Sequence, residues 1–381
     1  MRTEVRGAYI ARLDLGDAHL LGVAKKIRAQ MAALSGTEQS MDLFYPTGGE
    51  IRKNGEVLRS YGASHFWRRL TYYYLFYLCM ARQPLDANFI YIRYQRSSPL
   101  FLYLLSRIKA RHPGIVVLVE LPSYPYHTEW HSFRDRLFGL IDRLSIPFLR
   151  YYVDRIITFS REGEIFGIPT IRTDNGVDVD AFGIMPRPED SEVIRLVGVA
   201  NLSFWHGYDR IISGLARHYA GDNPRPVVFE IVGSGQELER LQNDARRNDL
   251  TEHVTFHGPL HGAELDEVLG RCHIGVSSIG MHRLQVDTSN LKSREFCARG
   301  IPFVIAYEDR DFSKELEFVF HVSANDEPVD ITKLLEFYDA LRIKNPDFTG
   351  EMRKYAEERL TWRGKMKPVA ETVRELLTTR S

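Results

Sequence analysis

The fold class can be inferred from the stretch GMHRLQVDTSNLKSREFCARGIPFVIA, residues 280–306. A β-rich run, CHIGVSSI (residues 272–279), precedes it, and its own end, IPFVIA, has the apolar character of a second strand. The polar residues between the two runs predict a helix that opens near Asn290 or Leu291 and ends at Gly300. A strand, a helix and a further strand in this order are typical of a parallel sheet covered by helices.

The predicted helix start has the residue types of an anion site. Ser289 and Asn290 are both suitable N-caps. A helix that begins at the carboxyl end of a strand presents free backbone N–H groups and a positive dipole, which suit a phosphate group. Lys292 and Arg294 could add positive charge, and Glu295, about one turn further on, could accept hydrogen bonds from sugar hydroxyls. The same residues also fit a capped surface helix with solvated charges, and residue types alone leave both interpretations open.

The same alternation of strands and helices extends outward through the chain. In the front half, six runs have strand character: residues 7–13, 41–46, 88–94, 114–122, 155–160 and 170–175. In the back half there are five: residues 194–200, 227–233, 253–258, 272–279 and 301–306. Several are almost continuously apolar, as expected where helices bury both faces of a sheet. A segment without periodicity, residues 177–193, separates the two sets. The sequence therefore predicts two doubly wound α/β domains, which would bind a ligand at the carboxyl ends of their strands, in a cleft between them.

The composition is that of a folded protein. Of 381 residues, 44% are hydrophobic and 26% are charged, and 50 basic residues balance 50 acidic ones, which argues against a nucleic-acid-binding protein. Up to Met185 there are 24 basic and 18 acidic residues, a net charge of +6, so the remainder carries −6. This asymmetry indicates that the two halves meet different partners.

Several features favour a cytoplasmic protein. The three cysteines, Cys79, Cys272 and Cys297, have neither metal-ligand spacing nor the number needed for a disulfide framework, which fits a reducing compartment. The first residues lack the apolar core of a signal peptide. The most apolar run, residues 71–81, is about half of the roughly 20 residues that a bilayer span needs.

Residues 280–306 resemble the signature of the retaining family 4 glycosyltransferases. That family has two glutamates separated by seven residues, followed by a helix that ends in A-x-G-x-P. Glu295 matches the second glutamate and residues 298–302 (ARGIP) the helix end, whereas Asp287 occupies the first position and keeps only the carboxylate. Other segments resemble family motifs in the same order: residues 16–30 (glycine loop and first helix), 174–182 (domain junction), 204–212 and 230–237. The resemblance covers nearly the whole chain.

The resemblance implies the GT-B architecture, in which two Rossmann-like doubly wound domains face each other across a cleft. Residues 1–178 would form the acceptor-side domain and residues 179–360 the nucleotide-sugar-binding domain. Residues 361–381 would form a C-terminal helix that packs back on the first domain.

The resemblance also assigns donor-binding roles. Glu295 would bind the donor ribose, Asp287 would lie near the donor sugar, and the backbone at Gly22 would approach the diphosphate. Gly233, in a glycine turn, and Leu291, at the helix start, complete this set.

One part of the family's donor site is missing from the sequence. Where the family usually supplies an arginine and a lysine to the diphosphate, this chain has Asn201 and His206. We predict that Arg283, Lys292 and Arg294 replace them, because two phosphates in a cleft need cationic partners. His206 could instead be a turn residue beside a glycine.

Catalytic candidates besides Asp287 come from the segment ELPSYPYHTEW, residues 120–130. Family members often place a histidine here, near the transferred sugar. Glu120, Tyr124 and His127 are all candidates, and a proline-braced loop with a packed tyrosine is the alternative.

Two aromatic and basic stretches, residues 64–83 and 133–152, predict a possible membrane-binding surface on the first domain. They could seat it on an anionic membrane, where a lipid-linked acceptor would be found. Helices that pack their aromatic faces on the sheet would explain the same composition.

The sequence thus predicts a retaining glycosyltransferase that moves a sugar from a nucleotide sugar to a saccharide or lipid-linked acceptor, in surface polysaccharide or glycoconjugate biosynthesis. We expect no cofactor and no metal, because no cluster of residues with metal-ligand spacing is apparent in the sequence. A nucleotide-sugar epimerase of the same architecture and a non-catalytic sugar-nucleotide-binding protein are the alternatives. An NAD-dependent dehydrogenase is disfavoured, because no G-x-G-x-x-G follows the first strand.

Overall fold

A computed structural model describes residues 5–17, 20–35, 39–122, 124, 133–186, 188, 192–284 and 289–380, without the side chains of residues 21, 39 and 133–137. The chain forms two compact units. Unit 1 comprises residues 1–174 and 362–381, and unit 2 comprises residues 175–361.

Unit 1 is built on a nine-stranded sheet. Its strands are β1 (Val5–Ala11), β2 (Gln39–Thr47), β3 (Glu50–Lys53), β4 (Glu56–Ser60), β5 (Phe89–Arg93), β6 (Val116–Leu121), β7 (Arg155–Thr158), β8 (Glu164–Ile165) and β9 (Ile168–Arg172). Their order is β4-β3-β2-β1-β5-β6-β7-β9-β8. The six strands from β2 to β9 in this order are parallel, whereas β3, β4 and β8 pair antiparallel at the edges. All six residues of β6 are buried, which explains its unbroken apolar run up to Glu120.

Helices cover the sheet of unit 1. They are α1 (Leu21–Leu34), α2 (His65–Leu70), α3 (Phe76–Met80), α4 (Pro99–Arg111), α5 (Phe133–Ser145) and, from the end of the chain, α12 (Trp362–Arg380). A π-helical turn, Thr71–Leu75, joins α2 to α3, and a 3-10 turn, Ile146–Tyr151, follows α5. The terminal helix α12 packs on α1, and its Arg380 forms an ion pair with Asp154. The predicted return of the C-terminal helix to the first domain is therefore confirmed.

Unit 2 contains a fully parallel six-stranded sheet. Its strands are β10 (Ile194–Val199), β11 (Val227–Val232), β12 (Val254–Gly258), β13 (Ile274–Val276), β14 (Phe303–Ile305) and β15 (Val319–His321). Their order is β12-β11-β10-β13-β14-β15. The helices are α6 (Tyr208–Tyr219), α7 (Leu238–Arg247), α8 (Ala263–Gly270), α9 (Leu291–Arg299), α10 (Ile331–Lys344) and α11 (Phe348–Tyr355). Because the chain leaves β10 toward one edge and returns at β13 toward the other, the strand order reverses between these two strands.

All eleven predicted strand runs overlap a strand of the structure, and the predicted α/β class with two doubly wound domains is confirmed. The strands that the prediction missed, β3, β4, β8 and β15, are short; β4, β8 and β15 lie at sheet edges, and β3 lies directly beside β4. No helix in the described part of the chain is long and apolar enough to cross a membrane.

Candidate functional site

The reversal of strand order between β10 and β13 marks the candidate site of unit 2. At such a point the loops that follow the two strands run in opposite directions and leave a crevice at the carboxyl edge of the sheet. The loops after β10 (residues 200–207) and β13 (residues 277–283) and the start of α9 border this crevice.

Glycine allows two of the neighbouring loops to lie against each other. Gly233, directly after β11, has a φ of +128°, and a Cβ atom there would lie 1.8 Å from the carbonyl oxygen of Ala200. The N–H of Leu202 donates to the carbonyl oxygen of Ser234 over 2.7 Å. A side chain at position 233 would therefore separate the loop after β11 from the loop after β10.

The loop after β13 is fastened to the loop after β10 by backbone hydrogen bonds. The N–H of Ile279 donates to the carbonyl oxygen of His206 over 3.0 Å, and that of Gly280 to the carbonyl oxygen of Trp205 over 3.2 Å. A Cβ atom on Gly207 would lie 2.6 Å from the nitrogen of Gly280, so the close approach requires glycine. The two loops form one continuous backbone surface.

Arg283 holds this surface together. Its guanidinium donates two hydrogen bonds to Asp209, at 2.8 and 3.1 Å, one to Asp326 at 2.7 Å and one to the carbonyl oxygen of Phe204 at 2.6 Å. Four of the five N–H donors of Arg283 are thus used by protein groups, so Arg283 anchors these loops, and its expected role as a replacement cation for a diphosphate stays a prediction.

Helix α9 begins at the crevice with a side-chain cap. The Oδ1 atom of Asn290 accepts the N–H of Lys292 over 3.0 Å, which confirms Asn290 as the N-cap. Ser289, the other candidate, instead bonds through its hydroxyl to the N–H of Asn175 over 2.9 Å. An α-helix leaves its first N–H groups without intrahelical partners. The start of α9, at the half-buried Leu291, therefore carries a partial positive charge.

Lys292 brings a charge to this helix start. Its ammonium lies 3.5 Å from the hydroxyl of Ser278, in the loop after β13. Burial lowers the pKa of Lys292 to about 7, and the carboxylate of Glu295 opposes that decrease. Because burial destabilises the charged form of this side chain, an anion bound beside the ammonium would stabilise its positive charge.

His206, at the position where the resemblance leads us to expect a lysine, carries no charge. It is buried, and its Nδ1 atom accepts the N–H of Ser203 over 3.0 Å, so the proton of the neutral ring is on Nε2. Burial, together with the positive charge of Lys292, lowers the pKa of His206 to about 2. His206 can therefore offer a ligand a neutral N–H donor and no positive charge.

Arg294 is fully committed to the protein. Its Nε donates to the carbonyl oxygen of Asn175, Nη1 to the carbonyl oxygen of Asn290 and to Asp309, and Nη2 to Asp309 and Asp311, over 2.6–2.9 Å. All five N–H donors of the guanidinium are used, and the side chain has no exposed surface. The expectation that Arg294 binds a diphosphate is therefore wrong, because it has no donor left to offer.

The remaining residues expected in the donor site differ in exposure. Glu295 is half-buried on α9, one turn after the cap, and its charge acts on Lys292. Asn201 is exposed directly after Ala200 and offers an amide, without positive charge. The structure thus brings Lys292, Glu295 and His206 into one neighbourhood.

Glu120 lies in a buried cluster of unit 1. Its carboxylate has no exposed surface and contacts Lys26 at 2.8 Å, Tyr9 at 3.2 Å and Arg93 at 3.3 Å. Burial would raise its pKa, but the charges of Lys26 and Arg93 lower it to about 2. This carboxylate holds α1 to strands β1, β5 and β6, and its burial corrects the expectation of a catalytic group in an open loop.

The structure provides less information on the other predicted site residues of unit 1. Tyr124 is half-buried against the core, and its ring meets that of Phe166 edge-to-face, with the ring centroids 6.2 Å apart. This agrees with the alternative interpretation, in which the tyrosine packs in the structure. Gly22 is exposed near the start of α1, and a Cβ atom there would meet nothing within 4 Å. His127 and Asp287 lie outside the described residues.

Some polar groups of the site were not found from the sequence. The hydroxyls of Ser277, Ser293 and Tyr307 form a chain with distances of 2.8 and 2.7 Å that ties α9 to the loops after β13 and β14. Nothing in the spacing of these residues indicates that they meet. Among the described residues, no three His, Cys, Asp or Glu side chains are grouped so that they could hold a metal.

The sequence matches no protein-family model and no curated protein sequence. The fold, in contrast, matches solved structures over nearly the whole chain. HepE (Alr3699) from Anabaena in complex with UDP aligns over 97% of this chain and 100% of its own, with a TM-score of 0.66 and 12% identity. Sucrose-phosphate synthase from Thermosynechococcus elongatus aligns over 98% of both chains (TM-score 0.62, 14% identity). The lipopolysaccharide outer core galactosyltransferase WaaB aligns over 97% of this chain and 100% of its own (TM-score 0.59, 14% identity). These similarities confirm the predicted GT-B fold.

Proposed function

We propose that the protein is a glycosyltransferase that transfers a sugar, with retention, from a nucleotide sugar to a saccharide or lipid-linked acceptor. The observation that carries this proposal is the capped N-terminus of α9, with Lys292 beside it, at the strand-order reversal of unit 2. The GT-B fold and the resemblance of residues 280–306 to a glycosyltransferase signature support it.

The donor would lie along the carboxyl edge of the unit 2 sheet. Its diphosphate would sit on the free N–H groups of α9, with the ammonium of Lys292 as the cation and the Nε2–H of His206 as a neutral donor. Glu295 would accept hydrogen bonds from the ribose hydroxyls. Gly233 would let the nucleotide approach the backbone of the loop after β11.

The proposed reaction is an exchange at the anomeric carbon of the donor sugar. The bond from this carbon to the diphosphate oxygen breaks, and a bond to the acceptor oxygen forms on the same face. The acceptor proton passes to the leaving diphosphate. Since negative charge develops on the diphosphate as the sugar becomes oxocarbenium-like, stabilisation by the helix N-terminus and Lys292 would supply most of the catalysis. Asp287 would lie near the donor sugar.

The proposal extends to a place in the cell. A transferase that adds sugars to lipid-linked or soluble saccharides from nucleotide sugars works where those donors are made, in the cytoplasm or at the inner face of the membrane. Surface polysaccharide or glycoconjugate biosynthesis is the process that we propose for it.

Incubation with a panel of nucleotide sugars tests the proposal. We expect one base and sugar to raise the melting temperature by mass action, and free nucleoside diphosphate to be released only when an acceptor is added. Conversion of the sugar without an acceptor would instead identify an epimerase. Failure of every nucleotide sugar to stabilise the protein would contradict any donor site on α9.

A non-catalytic nucleotide-sugar-binding protein is the second candidate function. The observation that favours it is the loss of both family cations, since Asn201 and His206 carry no positive charge. Stabilisation by a nucleotide sugar, without turnover across a broad acceptor set, would support this candidate against the transferase.

Replacing Glu295 with alanine is expected to raise the donor KM by about 10- to 150-fold, since a hydrogen bond to a charged group contributes about 1.5–3 kcal/mol. Steady-state kinetics with the donor found by the panel measures this change. Glu336→Ala, at an exposed position of α10, is the matched control and should leave KM unaltered. A donor KM unchanged by Glu295→Ala would exclude the ribose assignment.

We also expect the transfer to proceed without a divalent metal. Activity assayed after dialysis against EDTA should equal that of the untreated protein, and added Mg²⁺ or Mn²⁺ should not increase it. Loss of activity on chelation, restored by either ion, would contradict the proposed reliance on protein cations alone.

A further inference from the structure

Helix α5 and the turn after it present apolar side chains to solvent. Leu140, Leu144, Phe148 and Tyr151 are 54%, 66%, 52% and 65% exposed. Their spacings of four, four and three residues place them on one side of the helical path. Singly exposed apolar residues are common on protein surfaces, but a continuous apolar stripe marks a contact with another phase or partner.

Contacts on the opposite side of the same helix fix its orientation, so that the apolar stripe faces solvent. Asp142 is fully buried, and its carboxylate accepts hydrogen bonds from the hydroxyl of Tyr94, at 2.7 Å, and from the N–H of Ser97. Leu149, 1% exposed, is buried in the core on this side. In its described part, from residue 138, the helix thus buries Asp142 and exposes Leu140 and Leu144, which reverses the usual arrangement of an amphipathic surface helix. Turning the leucines inward would break the bonds of Asp142.

The exposed side also carries positive charge. Arg143 and Arg150 are exposed among the apolar residues. Between residues 138 and 151 the only acidic residue is Asp142, whose carboxylate faces the core. The surface therefore combines apolar side chains with arginines and has no exposed acidic group along this stretch.

A second segment of the same kind lies beside it. In α2, Phe66 is 66% exposed, and Arg68 and Arg69 are exposed next to it. The rings of Tyr73 and Phe138 stack with their centroids 6.2 Å apart and thereby connect the two segments. In the predicted stretch 64–83, α3 packs in the core whereas α2 does not. Core packing therefore explains only part of the aromatic composition of this stretch. We call the exposed side chains of residues 66–74 and 140–151 the aromatic-basic face.

We propose that the aromatic-basic face binds an anionic membrane surface, with its leucines and aromatic rings at the boundary of headgroups and acyl chains and its arginines at the lipid phosphates. An anionic bilayer offers negatively charged headgroups for the arginines of this face and, beneath them, an apolar layer for its leucines and aromatic rings. A second copy of the chain would bring arginines against arginines. The inference goes beyond sugar transfer and does not depend on it.

Vesicle cosedimentation of the full-length protein tests this proposal without donor or acceptor. We expect binding to phosphatidylcholine vesicles that contain phosphatidylglycerol, weak binding to pure phosphatidylcholine, and release by high salt. Arg143→Glu with Arg150→Glu should weaken partitioning by at least about 30-fold, since each basic residue near an anionic surface contributes roughly a fivefold increase and the added carboxylates are repelled. Arg68→Glu with Arg69→Glu should act similarly, and Leu144→Ser with Phe148→Ser should also reduce binding.

Unit 2 supplies matched controls. Ile343, 83% exposed on α10, and Arg247, whose side chain is 78% exposed on α7, lie outside the face. Ile343→Ser and Arg247→Glu should bind vesicles like the wild type, and unchanged melting temperatures would show that every variant is folded.

Three results would overturn the proposal. The wild type could ignore anionic vesicles at low salt. The controls could lose as much binding as the face variants. Finally, sedimentation velocity could reveal a dimer that Leu144→Ser with Phe148→Ser dissociates, without any vesicle binding, in which case a second copy covers the face.

Discussion

Replacing Arg294 with alanine is expected to lower the free energy of unfolding by about 3–5 kcal/mol, the usual cost of breaking a buried ion pair from one side. The change would leave the carboxylate of Asp309, 1% exposed, without its cation in the interior of unit 2. It would also remove the hydrogen bonds to the carbonyl oxygens of Asn175 and Asn290, and with them a brace of the α9 cap. Urea unfolding followed by circular dichroism measures the loss, and hydrogen exchange of α9 locates it.

Other variants separate the ion pair from its surroundings. Arg247→Ala removes an arginine from a pair with Asp244 at 3.9 Å on the surface, and should cost less than about 0.5 kcal/mol. Arg294→Met combined with Asp309→Asn and Asp311→Asn should recover part of the loss, because no buried charge then lacks a partner. If Arg294→Ala left stability unchanged but weakened donor binding, Arg294 would be a ligand and its role as an anchor would be excluded.

Arg294 also shows what the sequence could not predict about the site. Residue types and spacing correctly located the helix start, its asparagine cap and the cations around it. Whether a cation is free for a ligand depends on carboxylates distant in the chain: Asp309 and Asp311 for Arg294, and Asp209 and Asp326 for Arg283. No local pattern indicates those pairings, because they arise from how the loops after different strands meet.

In the fold, the missed elements have a different explanation. Strands β3 and β4 form a charged hairpin at a sheet edge, in which β3 is mostly half-buried and β4 mostly exposed, so they lack the apolar runs that identified the central strands. A signal was nevertheless present. Asn54 and Gly55, between the two strands, both have positive φ values, 52° and 94°, and an Asn-Gly pair is the preferred sequence of a tight hairpin turn. The central strands were predictable because burial on both faces forces an apolar sequence.

Among the predicted replacement cations, Arg294 uses all of its donors and Arg283 four of its five on protein groups, which leaves Lys292 as the strongest candidate cation of the proposed diphosphate site. Lys292→Ala is therefore expected to weaken nucleoside diphosphate binding by about 30-fold or more, the effect of removing one partner of a desolvated charge pair. Binding of the corresponding nucleoside should not change. Lys333→Ala, at a lysine 71% exposed on α10, is the control and should alter neither ligand. Equal losses for nucleoside and nucleoside diphosphate would mean that Lys292 does not touch the phosphates.

The pH dependence of donor binding tests the same charge independently. The pKa of Lys292 is lowered to about 7 in the free protein, and a bound diphosphate should raise it, because the negative charge stabilises the ammonium. Above pH 7 the lysine is then neutral before binding and must take up a proton, so affinity should fall by up to about tenfold per pH unit, whereas below pH 7 it should be constant.

A nucleotide sugar is the ligand of choice, since its diphosphate keeps a constant charge over this range. Calorimetry in two buffers of different ionisation enthalpy measures the proton uptake directly. Lys292→Ala should abolish both the uptake and the slope, because His206, the other basic side chain beside α9, stays neutral. If the variant kept the slope, another group would titrate with donor binding and the assignment of Lys292 would fail.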